Sequence, residues 1–183
     1  MRNPYRKMIL AATAVPSKPT VDDYFELFNK LFPQVGTATF NLVNGTLERR
    51  YTHELYALTL TYQDRTLKHP QRVNDYLKKV YSKLCQVIKK NHFTRTIPKQ
   101  MRPMIFGVIE FDDTVTHHHH LILAIHPEHK DKFDALIGKD TVKALAPEIV
   151  ASSQMDAIYD LNGWWDYCKK RTRNTDNIVF LPE

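Results

Sequence analysis

Apolar and polar residues alternate along this chain with two different periods, and each change of period marks an element. From Val21 to Phe32 the large apolar side chains fall at Tyr24, Phe25, Phe28, Leu31 and Phe32, a helical spacing. Thr20 or Asp22 is placed to cap that helix. Residues 36–50 are polar and turn-rich, with a short hairpin predicted around Asn44-Gly45. Glu54 to Tyr62 alternates strictly enough to read as a strand. Arg72 to His92 reads as a long basic amphipathic helix whose buried stripe is Tyr76, Val80, Leu84, Val87 and Ile88.

Met104 to Phe111 is an apolar strand, Asp112-Asp113-Thr114 a turn, and Thr116 to Ile125 the returning strand of a hairpin. Pro127 to Ile137 predicts a short helix with proline in its first turn. Gln154 to Leu161 predicts a strand and Gly163 to Thr172 a short helix, while Ile178 to Leu181 reads as an edge strand or the start of a tail. The order is β-α-β-β-α-β-α with a hairpin at its centre. It predicts an α+β fold, one antiparallel sheet with helices mainly on one face.

A length of 183 residues suits one domain with a proper core and excludes two large ones. We divide the chain into an N-terminal extension, residues 1–50, carrying the helix at about 21–32, and a main domain, residues 51–183. Met1 to Pro16 has basic residues and then a short apolar run, read as an arm rather than a leader. No apolar stretch approaches the roughly 20 residues that span a bilayer. Cys85 and Cys168 fit no metal or redox spacing, which agrees with a reducing cytoplasm.

Formal net charge is +6, which permits a nucleic-acid partner without requiring one. Its distribution says more: from Asp64 to Arg102 eleven Lys and Arg stand against Asp64 and Asp75 alone, a local balance of +9. Such a stretch is either a solvated helix face or a phosphate-facing surface.

The chemistry concentrates in Val115-Thr116-His117-His118-His119-His120-Leu121-Ile122-Leu123-Ala124-Ile125. Side chains alternate along a strand, so only one pair of these histidines shares a given face. Pairing His118 with His120 sends Leu121, Leu123 and Ile125 to the helix-covered core, which buries the larger aliphatic set. Pairing His117 with His119 is the alternative. Two imidazoles with a carboxylate such as Glu110 make a ligand set for one divalent metal with open positions. Farther on, Trp164-Trp165-Asp166-Tyr167-Cys168-Lys169-Lys170 offers a tyrosine with a lysine three positions later, on one helix face.

These residues resemble the HUH endonucleases, and among them the rolling-circle replication initiators. Leu58-Thr59-Leu60-Thr61-Tyr62 resembles the family's first motif, His118-His119-His120-Leu121-Ile122-Leu123 its His-hydrophobic-His motif, and Tyr167-Cys168-Lys169-Lys170 its Tyr-x-x-Lys motif. The viral members carry a metal-binding glutamate eight residues before the first motif histidine, and Glu110 stands eight before His118. The likeness spans roughly residues 54–173. It departs at His119, where the family usually has a bulky apolar residue, and residues before 50 match nothing in it. No Gly-rich phosphate loop is present, which leaves three alternatives: a complete initiator, a plasmid-type protein served by a host or separate helicase, or an excised nuclease domain.

The resemblance implies a ferredoxin-like HUH fold and a nick-and-rejoin enzyme acting on single-stranded or hairpin DNA at a replication origin. It implies Glu110, His118 and His120 as ligands of Mn²⁺ or Mg²⁺, although zinc would also bind such a set. It implies Tyr167 as the nucleophile that forms a 5′-phosphotyrosine. A phenol ordinarily titrates near 10, so Lys170 is expected beside the phenolate or the phosphate. Tyr159 is the competing tyrosine. Thr59, Thr61 and Tyr62 are expected to support the sheet beside the metal. Arg65, Lys68, Arg72, Lys169, Arg171 and Arg173 are expected phosphate contacts. His126 and His129 are expected outside the ligand set. Phe93, Trp164 and Trp165 are base-stacking or core residues, with Trp164 expected in the core. The compartment implied is the cytoplasm, or a host nucleus for a viral chain. Two rivals remain in view: a relaxase or single-strand transposase using the same chemistry, and a non-catalytic nucleic-acid-binding module.

Overall fold

The computed structural model describes residues 19–31, 39–43, 46–50, 53–63, 70–89, 97–98, 101–110, 117–170, 172 and 175–181. The N-terminal arm, the Asn44-Gly45 and Asp112-Asp113-Thr114 turns and Phe93 lie outside them. The elements in chain order are α1 (Val21–Leu31), β1 (Thr39–Val43), β2 (Thr46–Arg50), β3 (Glu54–Tyr62), α2 (Pro70–Ile88), β4 (Met104–Glu110) and β5 (His118–Ile125). They continue with α3 (Lys130–Asp134), β6 (Gly138–Lys139), α4 (Thr141–Leu145), β7 (Val150–Ala157), α5 (Leu161–Lys169) and β8 (Ile178–Leu181).

Six strands form one antiparallel sheet in the order β6-β7-β3-β5-β4-β8, and β1 pairs with β2 as a separate hairpin. The fold is α+β. Alternation splits the strands' side chains between two cores. Tyr56, Leu58, Leu60 and Tyr62 of β3 join Leu121, Leu123 and Ile125 of β5 beneath α2, α3 and α4. The stripe that α2 buries is Val73, Leu77, Val80, Leu84, Cys85 and Ile88. Tyr76 and Val87, predicted inside that stripe, sit half-buried at its margin. The other face receives Leu55, Phe106, Ile122 and Ala124, packed against Tyr24 and Phe25 of α1 and Leu161 and Trp165 of α5. Each large apolar side chain so buried contributes roughly 1.5–3 kcal/mol.

Local chemistry explains the boundaries. Thr20 and Asp23 form a reciprocal cap on α1: the Asp23 amide donates to Thr20 Oγ1 at 3.2 Å and the Thr20 amide to Asp23 Oδ2 at 2.6 Å. Gly107 sits where a Cβ would stand 2.2 Å from the His120 carbonyl oxygen, so only glycine lets β4 lie this close to the histidine strand. The strand predicted over 154–161 is in fact Val150–Ala157. A bulge pairs Thr61 with Ser152 but Tyr62 with Val150, which breaks the period that a strand would show in sequence. Residues 158–160 form an irregular link instead, and the last helix starts at Leu161 rather than Gly163. Ile178–Leu181 is an edge strand on β4. Among the described residues no helix is long and apolar enough to cross a membrane.

His119 is the one histidine of the run that points into the larger core, fully buried, with Nδ1 2.6 Å from the Tyr62 hydroxyl. Burial, then the neighbouring His120 and His117, push its titration down from 6.5 to about 3. The unfolded chain takes up that proton as pH falls through 6.5, and the folded chain does not. Above pH 6.5 the ring is neutral in both states. Below it, folding loses about 1.4 kcal/mol per pH unit from this group until the folded ring itself protonates. Urea unfolding from pH 7 to pH 4 will therefore show a shallower acid loss in the His119→Leu/Tyr62→Phe double variant, by about one proton. Equal slopes would contradict a neutral buried His119.

Candidate active site

Residues paired across antiparallel strands project to the same face, so the register defines rows of neighbours. One row runs Ser152, Thr61, His118, Glu110, and the next runs Gln154, Thr59, His120, Val108. A third runs Asp156, Ala57, Ile122, Phe106. The structure thus brings Glu110, His118 and His120 to one end of the face that α1 and α5 partly cover. His118 and His120 share it, and His119 lies on the other.

The threonines do more than fill the sheet. Thr61 Oγ1 lies 2.9 Å from His118 Nδ1, and Thr59 Oγ1 lies 3.2 Å from His120 Nδ1. A hydroxyl can give or accept a proton, so either imidazole tautomer is held in the same orientation. Tethering each ring through Nδ1 turns Nε2 outward. His120 Nε2 then meets Glu110 Oε2 at 3.0 Å, with both groups mostly buried. The His118 and His120 ring centroids are 6.4 Å apart.

Helix α5 brings the tyrosine. Tyr167 stands edge-on to His120 with ring centroids 5.1 Å apart, stacks on Trp164 at 5.3 Å, and is 51% exposed. Of the two tryptophans, Trp165 lies in the core and Trp164, expected there, does not. Trp165 is the core residue, stacked on Phe25 at 4.8 Å and packed on Phe106 at 4.9 Å. Trp164 is half-buried, its indole N–H donating to the Leu121 carbonyl at 3.2 Å. Adjacent residues stand about 100° apart round a helix, so only one of the two rings can face the core squarely. Tyr159 is almost wholly exposed and sits in the link after β7, not on a strand.

The basic residues divide. Lys170 is exposed at the end of α5, one turn beyond Tyr167. Lys169 is bound within the protein, 3.0 Å from Asp22 of α1 and 2.9 Å from Asp166, so it ties α5 to α1. Arg72 is exposed on α2, whose layer covers the face opposite the His118–His120 pair. Arg65, Lys68, Arg171 and Arg173 lie outside the described residues. His126 receives the Glu128 amide as a local cap, and His129 is buried at the start of α3.

Among the described residues, no three His, Cys, Asp or Glu side chains stand close enough as placed to close on one ion. The donor set nevertheless suits a divalent cation: two imidazoles tethered through Nδ1 and a carboxylate already touching one of them. Compared with protein-family profiles, curated proteins and solved structures, the chain matches none. The residues that sequence reasoning passed over are Gln154 and Asp156, on the same face one and two rows along. Their signal was the polar alternation at Ser152, Gln154 and Asp156.

The helix that carries Tyr167 depends on its first turn. Asp160 Oδ1 accepts from the Gly163 amide at 2.9 Å, and a Cβ on residue 163 would stand 2.3 Å from Asp160 Oδ2. Gly163→Ala should therefore displace the Asp160 cap, a loss of about 1 kcal/mol that cancels the similar gain from alanine's better helix propensity. In the Asp160→Ala background the same change should stabilise. Thermal denaturation of the four proteins checks this, and additive effects would contradict it.

Proposed function

We propose that this protein is a metal-dependent endonuclease and strand transferase that nicks single-stranded or hairpin DNA at a replication origin. Its chemistry is that of the single-tyrosine HUH enzymes, which the motifs resemble. The observation that carries the reading is the convergence of the Glu110–His120 pair, His118 and an exposed Tyr167 ring on one end of one sheet face.

The phenol oxygen of Tyr167 attacks the scissile phosphorus in line with the 3′-oxygen of the neighbouring nucleotide. An O–P bond to tyrosine forms, the P–O3′ bond breaks, and the 3′-oxygen takes a proton to become a free hydroxyl. The phenolic proton passes to solvent. The 5′ end stays on the protein, and the same 3′-hydroxyl can later attack the phosphotyrosine and restore the strand. Lys170, one helical turn on, supplies positive charge beside the phenolate or the phosphate. Glu110, His118 and His120 would hold Mn²⁺ or Mg²⁺, whose chemistry when bound is charge neutralisation at a non-bridging phosphate oxygen. Thr59 and Thr61 hold the imidazoles through Nδ1, which would leave each Nε2 for the metal. Opening the duplex ahead of the free 3′ end would need a helicase.

The test is covalent trapping. End-labelled single-stranded oligonucleotides, from origin hairpins and from a random pool, are incubated with Mn²⁺ and resolved on denaturing gels. A protein–DNA adduct should form, be lost with EDTA, Tyr167→Phe or His118→Ala, and survive Tyr159→Phe. An adduct that persists in Tyr167→Phe moves the nucleophile elsewhere. Binding without any adduct favours the non-catalytic module. Separately, Thr61→Val should weaken Mn²⁺ binding about 10–100-fold in calorimetric titration, because the outer hydrogen bond of a ligand is worth that much. Unchanged affinity would remove Thr61 from the metal's support.

A further inference from the structure

Beside Tyr167, between the end of β7 and the start of α5, opens a groove of about 480 Å³. Three aromatic rings line it, Tyr159, Trp164 and Tyr167, together with Ala57 and the carboxylates of Asp156 and Asp160. Tyr159 is 98% exposed, so a large ring stands open to solvent at this rim. The groove belongs to the same sheet face as the catalytic residues. Asp156 and Ala57 form the row immediately beyond Gln154, Thr59 and His120.

Charge decides what fits. No Lys or Arg is among the described residues that line the groove, and two carboxylates are. A phosphate is therefore repelled, while a flat neutral ring that donates hydrogen bonds is favoured. Asp160 is occupied with capping α5. Both oxygens of Asp156 accept from the Gln154 side-chain amide at 3.0 Å, and each keeps a further lone pair.

We propose that this groove is a nucleobase subsite, which takes one unpaired base next to the scissile phosphate, stacked on Tyr159 and Trp164, with Asp156 accepting from the base's exocyclic amino group. The inference rests on the nicking reading for the identity of the strand and deepens it by naming a specificity determinant. Cytosine and adenine carry the required amino group and thymine does not. Stacking supplies affinity without sequence preference, and the carboxylate supplies the preference.

The test reads binding without requiring cleavage. Trp164 lies in the groove and Trp165 in the core, so quenching of tryptophan emission reports occupancy. The intact protein is titrated with deoxycytidine, deoxyadenosine and thymidine homo-oligonucleotides of ten bases. The expected result is tighter binding of the cytosine and adenine strands than of thymine by about tenfold, with all three weakened about tenfold by Tyr159→Ala. Asp156→Asn, which adds a donor at the rim, should erase or reverse the preference while the protein stays folded by circular dichroism. Equal binding of the three strands, or a preference indifferent to both variants, overturns the subsite. Tyr167→Phe separates the two claims. Loss of adduct with the base preference intact supports both. An adduct formed without base preference leaves nicking standing and removes the groove, and preference with no adduct in the native protein does the reverse.

Discussion

The pairing of β3 with β5 governs the geometry of the site. It sets Thr59 opposite His120, Leu60 opposite His119 and Thr61 opposite His118. A one-residue slip of β5 along β3 would turn the side chains of β5 to the other face, placing His119 beside Tyr167 and burying His118 and His120 under α2. Three hydrogen bonds oppose that slip, one between each of His118, His119 and His120 and a β3 hydroxyl. His119 anchors the register from within the core, and its burial leaves His118 and His120 on the face shared with Tyr167. A residue that departs from the usual apolar pattern thereby serves as a polar peg in an apolar layer.

The second requirement is that α5 sit over that face at a fixed rotation. Its position is set by Trp165 wedged between Phe25 and Phe106, by the Asp160 cap and by the Lys169–Asp22 ion pair. The wedge contributes most, since an exposed ion pair gives about 0–1 kcal/mol. The consequence is that α1, from the N-terminal extension, helps to hold the helix that carries Tyr167.

Much of this was legible in the sequence, for physical reasons. Glu54–Tyr62 and the hairpin of β4 and β5 show clean apolar patterns because both lie centrally and are covered on their core side. The choice of His118 with His120 over His117 with His119 followed from counting aliphatic residues on each face. What escaped was set by distant partners. The role of Lys169 depends on Asp22, far away in the chain, and that of Trp165 on Phe25 and Phe106. The bulge opposite Thr61 hid β7, and α4 with β6 was missed because each is too short to show a period. The threonine-to-imidazole bonds were readable only as support for the sheet until the cross-strand register was known.

Everything proposed here depends on Glu110, His118 and His120 acting together as one ligand set beside Tyr167. The most direct measurement is an anomalous difference map from a crystal of this protein soaked in Mn²⁺. One strong peak is expected within coordination distance of His118 Nε2, His120 Nε2 and a Glu110 carboxylate oxygen, with Thr59 and Thr61 still on the Nδ1 atoms. No peak there at saturating Mn²⁺, with the Glu110–His120 hydrogen bond intact, would rule out that ligand set.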